Sequence, residues 1–243
     1  MGKKIIIKRF VMGILCSLIG IFSLSLFAAG ELEKVTKLEA NQQAIAACAK
    51  PRDSESLSDE EYEQLEAEFG ARKTIPEQHR KPILLALSHY PELKDSNISF
   101  EAIPSTFALE SRPSLLSLFG REKNRRYRVI INSDEQESFK AAFFGNLSAQ
   151  AQVGAVGHEL GHTVYYRDKN LWQLAMVALA YPWNSFRARF ERETDIRAVE
   201  HCLGSHLLEW SKEIRVNISG DWGIDRYYLA PFEIENLLGI ETN

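Results

Sequence analysis

His158-Glu159-Leu160-Gly161-His162 is the stretch whose residue types and spacing could do chemistry. In an α-helix each residue advances about 100° around the axis. His158 and His162, four apart, then stack on one face a single turn from each other. Two imidazoles so placed can hold one metal ion, and the pattern is that of a zinc-binding helix. Glu159 lies about 100° round from His158, beside the ligand row and outside it. That position suits a carboxylate that takes a proton from a water on the metal. Two histidines need a third protein ligand, which leaves one position for water.

The helix that must present these groups runs over Val153–Tyr166, with Ser148 as a cap ahead of it. Val153, Val156, Leu160 and Val164 fall opposite the histidines and make an apolar stripe for the core. Gly154, Gly157 and Gly161 form a further stripe on the other flank. Glycine in a helix interior costs about 1 kcal/mol relative to alanine. Close approach by another element beside the metal would offset that cost. A second long helix is predicted over Asn184–Leu203, ending at Gly204. It places Glu191 and Asp195 four apart on one face, with Ala188, Ala198 and Cys202 extending a stripe of small residues suited to that approach.

HELGH followed on a later helix by Glu191-x-x-x-Asp195 resembles the gluzincin metallopeptidases. The layout is similar to that of their M48 group, which includes membrane-associated and periplasmic proteases. The resemblance covers His158 to Asp195. It implies a zinc metalloendopeptidase with one Zn2+ per chain, held by His158, His162 and Glu191, and with Glu159 as the general base. It also implies that Asp195 accepts a hydrogen bond from His158 and orients it. The fold it implies is α+β and zincin-like, mostly helical, with a small antiparallel sheet over the zinc helix. Between its two motifs this chain lacks the clear transmembrane pair of many M48 enzymes. Asp168 competes for the third ligand, but the turn glycine that alternative needs is Tyr165 here. Glu193 sits about 200° round the helix from Glu191. In a continuous helix, His201 and His206 would lie about 15 and 22 Å beyond Glu191, too far to reach the metal. Tyr227 and Tyr228 are candidate donors to the transition state.

Elsewhere the readings are plainer. Ser58 with Glu61 makes a capping box for an acidic helix. Pro76–His89 reads as a helix restarted at Pro82. Asn97–Ile103 and Tyr127–Asn132 alternate as strands, and the second is the candidate edge for an extended substrate. Ser105–Arg126 reads as irregular. Helices are also predicted over Glu31–Ala49, from Asp134 to Phe144 and from Pro231 to Leu238, and a short strand over Ile214–Ile218. Leu171–Trp183 is apolar but too short to span a bilayer. It reads as a buried core helix, with a membrane-surface hairpin as the alternative.

The first thirty residues look like a signal peptide or an N-terminal membrane anchor. Lys3, Lys4, Lys8 and Arg9 precede the apolar run 10–27, and Ala28-Ala29-Gly30 offers a cleavage site before Glu31. The remaining domain, 31–243, would be exported to the periplasm or secreted. The whole chain carries 29 basic and 33 acidic residues; without the leader 25 face 33, a balance of −8 that excludes nucleic acid as a natural partner. Cys48 and Cys202 then remain, either bridged or as free thiols. The readings together point to hydrolysis of peptides or unfolded proteins outside the cytoplasm. Two alternatives use the same residues: a zinc-binding scaffold without turnover, and an amidase acting on cell-wall peptides.

Overall fold

The structure, a computed structural model, describes residues 54–105, 107–120, 124–133, 143–217 and 223–240, together with Ile45, Cys48 and Arg52. The leader over 1–30, most of the expected helix over 31–49 and most of the helix from Asp134 lie outside the described residues. Helix α1 (Asp59–Phe69) opens on the expected box, in which Ser58 Oγ accepts from the Glu61 N–H and the Glu61 carboxylate accepts from the Ser58 N–H. A two-residue strand, β1 (Lys73–Thr74), leads through a 3-10 turn, Glu77–His79, into helix α2 (Arg80–Ser88). Pro82 falls in the first turn of α2, where its missing N–H leaves no hydrogen bond unmade.

Three strands follow: β2 (Asn97–Ile103), β3 (Leu109–Pro113) and β4 (Arg126–Asn132). The sheet order is β1-β2-β4-β3. This corrects the expectation of an antiparallel sheet. The β1–β2 and β2–β4 pairs are parallel, and only β3–β4 is antiparallel. The cause is β3, hidden in the stretch that reads as irregular because Leu109-Glu110-Ser111-Arg112-Pro113 does not alternate cleanly. The chain reverses into β3 and reverses again into β4, so β4 returns parallel to β2. It follows that Tyr127–Asn132 is a central strand and no edge. Val129, Ile130 and Ile131 are consecutive and all buried, as a strand covered on both faces requires. The edge facing the rest of the molecule is β3.

Helix α3 (Ala149–Arg167) is the centre of the fold. Ser148 Oγ accepts from the Ala151 N–H at 3.2 Å and caps it. Val153, Val156 and Leu160 join a core built with Ile83, Leu84 and Leu87 of α2 and Ile98, Phe100, Val129 and Ile131 of the sheet. The other flank of α3 receives the chain after helices α4 (Leu171–Ala180) and α5 (Asn184–Ala198). The expected long helix does not stop at Gly204. It breaks in a π-type turn, Val199–Leu203, where Cys202 takes φ 62°, and resumes as α6 (Gly204–Asn217). Cys202 is bonded there to Cys48. The strand expected at 214–218 is, as far as Asn217, the last turn of α6, because Leu203, Leu207, Ser211 and Ile214 repeat at helical spacing and are buried. A short α7 (Ile224–Tyr227) and α8 (Pro231–Leu238) complete the described chain.

Helix α4 departs from the expected core role. Only Leu174 is buried, while Leu171, Trp172, Met176 and Leu179, with Trp183 just beyond, are exposed. Among the described residues no helix is long and apolar enough to cross a membrane.

Candidate metal centre

The glycine stripe of α3 accepts the second helix system at close range. Gly154 faces the backbone of His206, Gly157 faces the Leu203 side chain and Gly161 faces Thr194. The groups nearest these glycines are not the small residues expected there, and Ala198 packs in a core with Val199 and Leu207. The result brings α5 against the histidine face of α3. His158, His162 and Glu191 are buried and form a group that could hold a metal ion. His158 Nε2, His162 Nε2 and Glu191 Oε2 sit 3.1 Å from one another on all three edges.

The hydrogen bonds behind these atoms decide what they present. Thr194 Oγ1 donates to the Phe190 carbonyl at 2.9 Å, so its single proton is used. It can only accept from His162 Nδ1, 3.2 Å away. His158 Nδ1 donates to Asp195 Oδ1 at 2.8 Å, and Asp195 Oδ2 accepts from the Leu229 N–H at 2.7 Å. Both imidazoles therefore carry their proton on Nδ1 and turn a bare Nε2 towards Glu191. Three lone pairs converge on one point, which only a cation or a proton can relieve. A small divalent ion fits. A triangle of these dimensions leaves a point about 1 Å above its plane that is roughly 2.0–2.1 Å from each corner. Without an ion a proton fills the role. Burial pushes the His158 pKa down, but its hydrogen bonds to the Asp195 and Glu191 carboxylates outweigh that and raise it to about 10. Burial likewise pushes Glu191 up, yet the neighbouring His162 and His158 hold its carboxyl well below the usual range.

Glu159 lies beside this group and out of it, as the helix geometry predicts. Its Oε2 is buried and accepts no hydrogen bond among the described residues. Burial raises its pKa above the ordinary carboxylate value. Asp168 is exposed at the C-terminal end of α3, and Glu193 faces solvent beside Arg189. His201 stacks on Tyr90 and bonds Glu92, and His206 Nε2 meets the Arg52 carbonyl. None of these four joins the triad.

A cavity of about 800 Å³ opens beside the triad, with Glu159, His162, Glu191 and Tyr228 in its wall. One lip is β3 with the 3-10 turn Leu115–Phe119; the other is α4. Leu115, Leu116 and Phe119 on the first lip and Trp172 and Leu179 of α4 are strongly exposed. The two tyrosine candidates separate. Tyr228 packs its ring 5.4 Å from that of His158, and burial keeps its phenol protonated. Tyr227 donates to Asn184 Oδ1 at 2.8 Å and is not in the cavity wall. Two contributors went unread in the sequence. Tyr181 Oη donates to Glu191 Oε1 at 2.6 Å, steadying the carboxylate whose other oxygen faces the histidines. It closes an apolar run that carries no polar signal. Thr194 was legible in principle, three residues past Glu191 and so on the same helical face.

No family model, no curated protein and no solved structure matches this chain.

Proposed function

We propose that the protein is a zinc-dependent peptidase acting on extended or unfolded chains outside the cytoplasm. The observation that carries this reading is the convergence of three metal-ligating lone pairs beside Glu159, a buried carboxylate with an unpartnered oxygen in a cleft wall. His158, His162 and Glu191 would hold the ion, with Asp195, Thr194 and Tyr181 fixing their orientation. Zinc bound there supplies Lewis acidity that lowers the pKa of a water towards about 7. Glu159, held basic by burial, takes the proton of the attacking water and passes it to the leaving nitrogen as the C–N bond breaks. Tyr228 offers a neutral hydroxyl for the carbonyl oxygen as charge builds on it. The free edge of β3 suits an extended peptide, which pairs main chain to main chain while the apolar lips meet its side chains. The Cys48–Cys202 bridge supports an oxidising compartment. A scaffold without turnover has no use for an open carboxylate at Glu159.

The test is hydrolysis of an unfolded-protein library by the purified protein, with and without a chelator and with Glu159→Gln. Turnover that needs metal and falls by about 10²–10⁴-fold in the variant supports the reading. Robust metal binding with no hydrolysis of any peptide bond would replace it with the scaffold.

A further inference from the structure

Arg187 stands one turn before Glu191 on α5, on the face that also carries Asp195. It lies in the wall of the cleft. Its guanidinium carbon sits 4.2 Å from the Tyr227 ring centre, 5.2 Å from that of Tyr181 and 5.6 Å from that of Phe107. These three rings surround the group and offer no hydrogen-bond acceptor to its Nε. Its Nε is buried with no hydrogen-bond partner among the described residues, and Glu191, the carboxylate whose charge favours it, gives it no hydrogen bond. The contrast with other half-buried arginines is direct. Arg80, Arg128 and Arg192 each grip a carboxylate with two nitrogens, those of Glu66, Glu101 and Glu233. Arg187 is built into its site as firmly but lacks the acceptor.

We propose that Arg187 recognises a carboxylate on the substrate, so that the preferred peptides carry one close to the bond that is cut. Four residues of helix separate its backbone from that of Glu191 by about 6 Å. An extended peptide advances about 3.3 Å per residue, so the carboxylate lies within two residues of the scissile bond. A planar guanidinium presents the fork that a carboxylate fits. The acidic balance of the chain would repel such substrates at long range, which makes a local cation necessary. Two sources share this chemistry: an Asp or Glu side chain within a longer peptide, and the terminal carboxylate of a peptide held at its end.

The substrate preference rests on the peptidase reading, but the subsite itself does not, and the experiment separates them. Zinc-loaded Glu159→Gln protein is titrated calorimetrically with end-blocked octapeptides that carry Glu or Gln at each central position. A second pair compares a free C-terminus with its amide. One carboxylate peptide of a pair should bind about ten- to a hundredfold more tightly than its neutral partner. The pair that responds identifies the source. Arg187→Gln should erase the difference and leave neutral-peptide affinity near its parent value; Arg187→Lys should restore part of it. Equal binding within every pair by the Arg187-containing protein overturns the proposal, whether or not the variants fold. Hydrolysis of all pairs at equal rates with equal affinities leaves the peptidase standing and removes the subsite. Arg187-dependent binding with no hydrolysis by the unmutated protein does the reverse.

Discussion

Gly154→Ala tests the contact that assembles the site. A methyl group there would lie 2.2 Å from the His206 carbonyl oxygen, 2.5 Å from its carbon and 2.8 Å from the Leu207 nitrogen. Ordinary contact begins near 3.4 Å, so α3 and α6 must part by about 1 Å. Two effects oppose each other. Alanine is favoured over glycine in a helix interior by about 0.8–1 kcal/mol. Overpacking costs about 1–3 kcal/mol, and the upper end applies because the obstacle is backbone and cannot rotate away. The clash should win by about 1–2 kcal/mol, which in a domain of this size lowers the Tm by about 2–8 °C. The movement also carries Trp210 of α6, whose ring is 5.4 Å from that of His158, so metal affinity should fall as well. Gly161→Ala is the control. Its methyl would meet Thr194 Cγ2 at 3.1 Å and the Thr194 carbonyl at 3.4 Å, a mismatch of a few tenths of an ångström that the propensity gain offsets. Thermal melts of the metal-free proteins by circular dichroism make the comparison. A Gly154→Ala protein as stable as its parent would refute the described packing of α3 on α6.

Tyr181→Phe keeps the ring beneath Arg187 but removes the 2.6 Å bond to Glu191, and should weaken metal binding by about 10–100-fold. A chelator competition titration with an unchanged Kd would take Tyr181 out of the assembly. In the metal-free protein the folded His158 pKa of about 10 lies above the unfolded value near 6.5. Its contribution to stability is therefore full below about pH 6.5 and is lost as pH rises through about 10. Urea unfolding of metal-free protein across that window should show the decline, and His158→Gln should flatten it. Replacing Cys48 and Cys202 together by Ser opens a link across 154 residues and should cost about 2–5 kcal/mol. Urea midpoints shifted by less than the equivalent of about 1 kcal/mol would mean that the bridge constrains little.

Features written in short windows were legible in the sequence. The His158–His162 face, the Glu191–Asp195 face, the Ser148 cap and the Ser58–Glu61 box each depend on residues within one or two turns, and the structure places all of them as the helical period predicts. Strands β2 and β4 were equally plain, because alternation is local. What was missed depends on contacts distant in sequence. β3 has little strand character of its own and forms because β4 offers it a partner; its presence then sets the direction of β4. Gly204 reads as a stop, but α6 continues because its buried face packs on Gly154 and Leu229 is close enough for its carbonyl to accept from Ser211. The exposure of α4 could not be read from its apolar composition, since a core helix and an unpartnered surface helix share it. Tyr181 reaches Glu191 only because the chain turns back between α4 and α5.

The proposed function stands on one feature, a metal ion held between α3 and α5 by His158, His162 and Glu191. Competitive zinc titration of the parent and four variants tests it most directly. About one zinc per parent chain is expected, with Glu191→Ala losing most affinity because only two ligands are left. Asp195→Asn should lose about 10–100-fold through a misaligned His158. Asp168→Ala and Glu193→Ala, which change exposed carboxylates outside the triad, should bind as the parent does. Absence of bound zinc in the parent, or a severe loss in Asp168→Ala beside a mild one in Glu191→Ala, would contradict it.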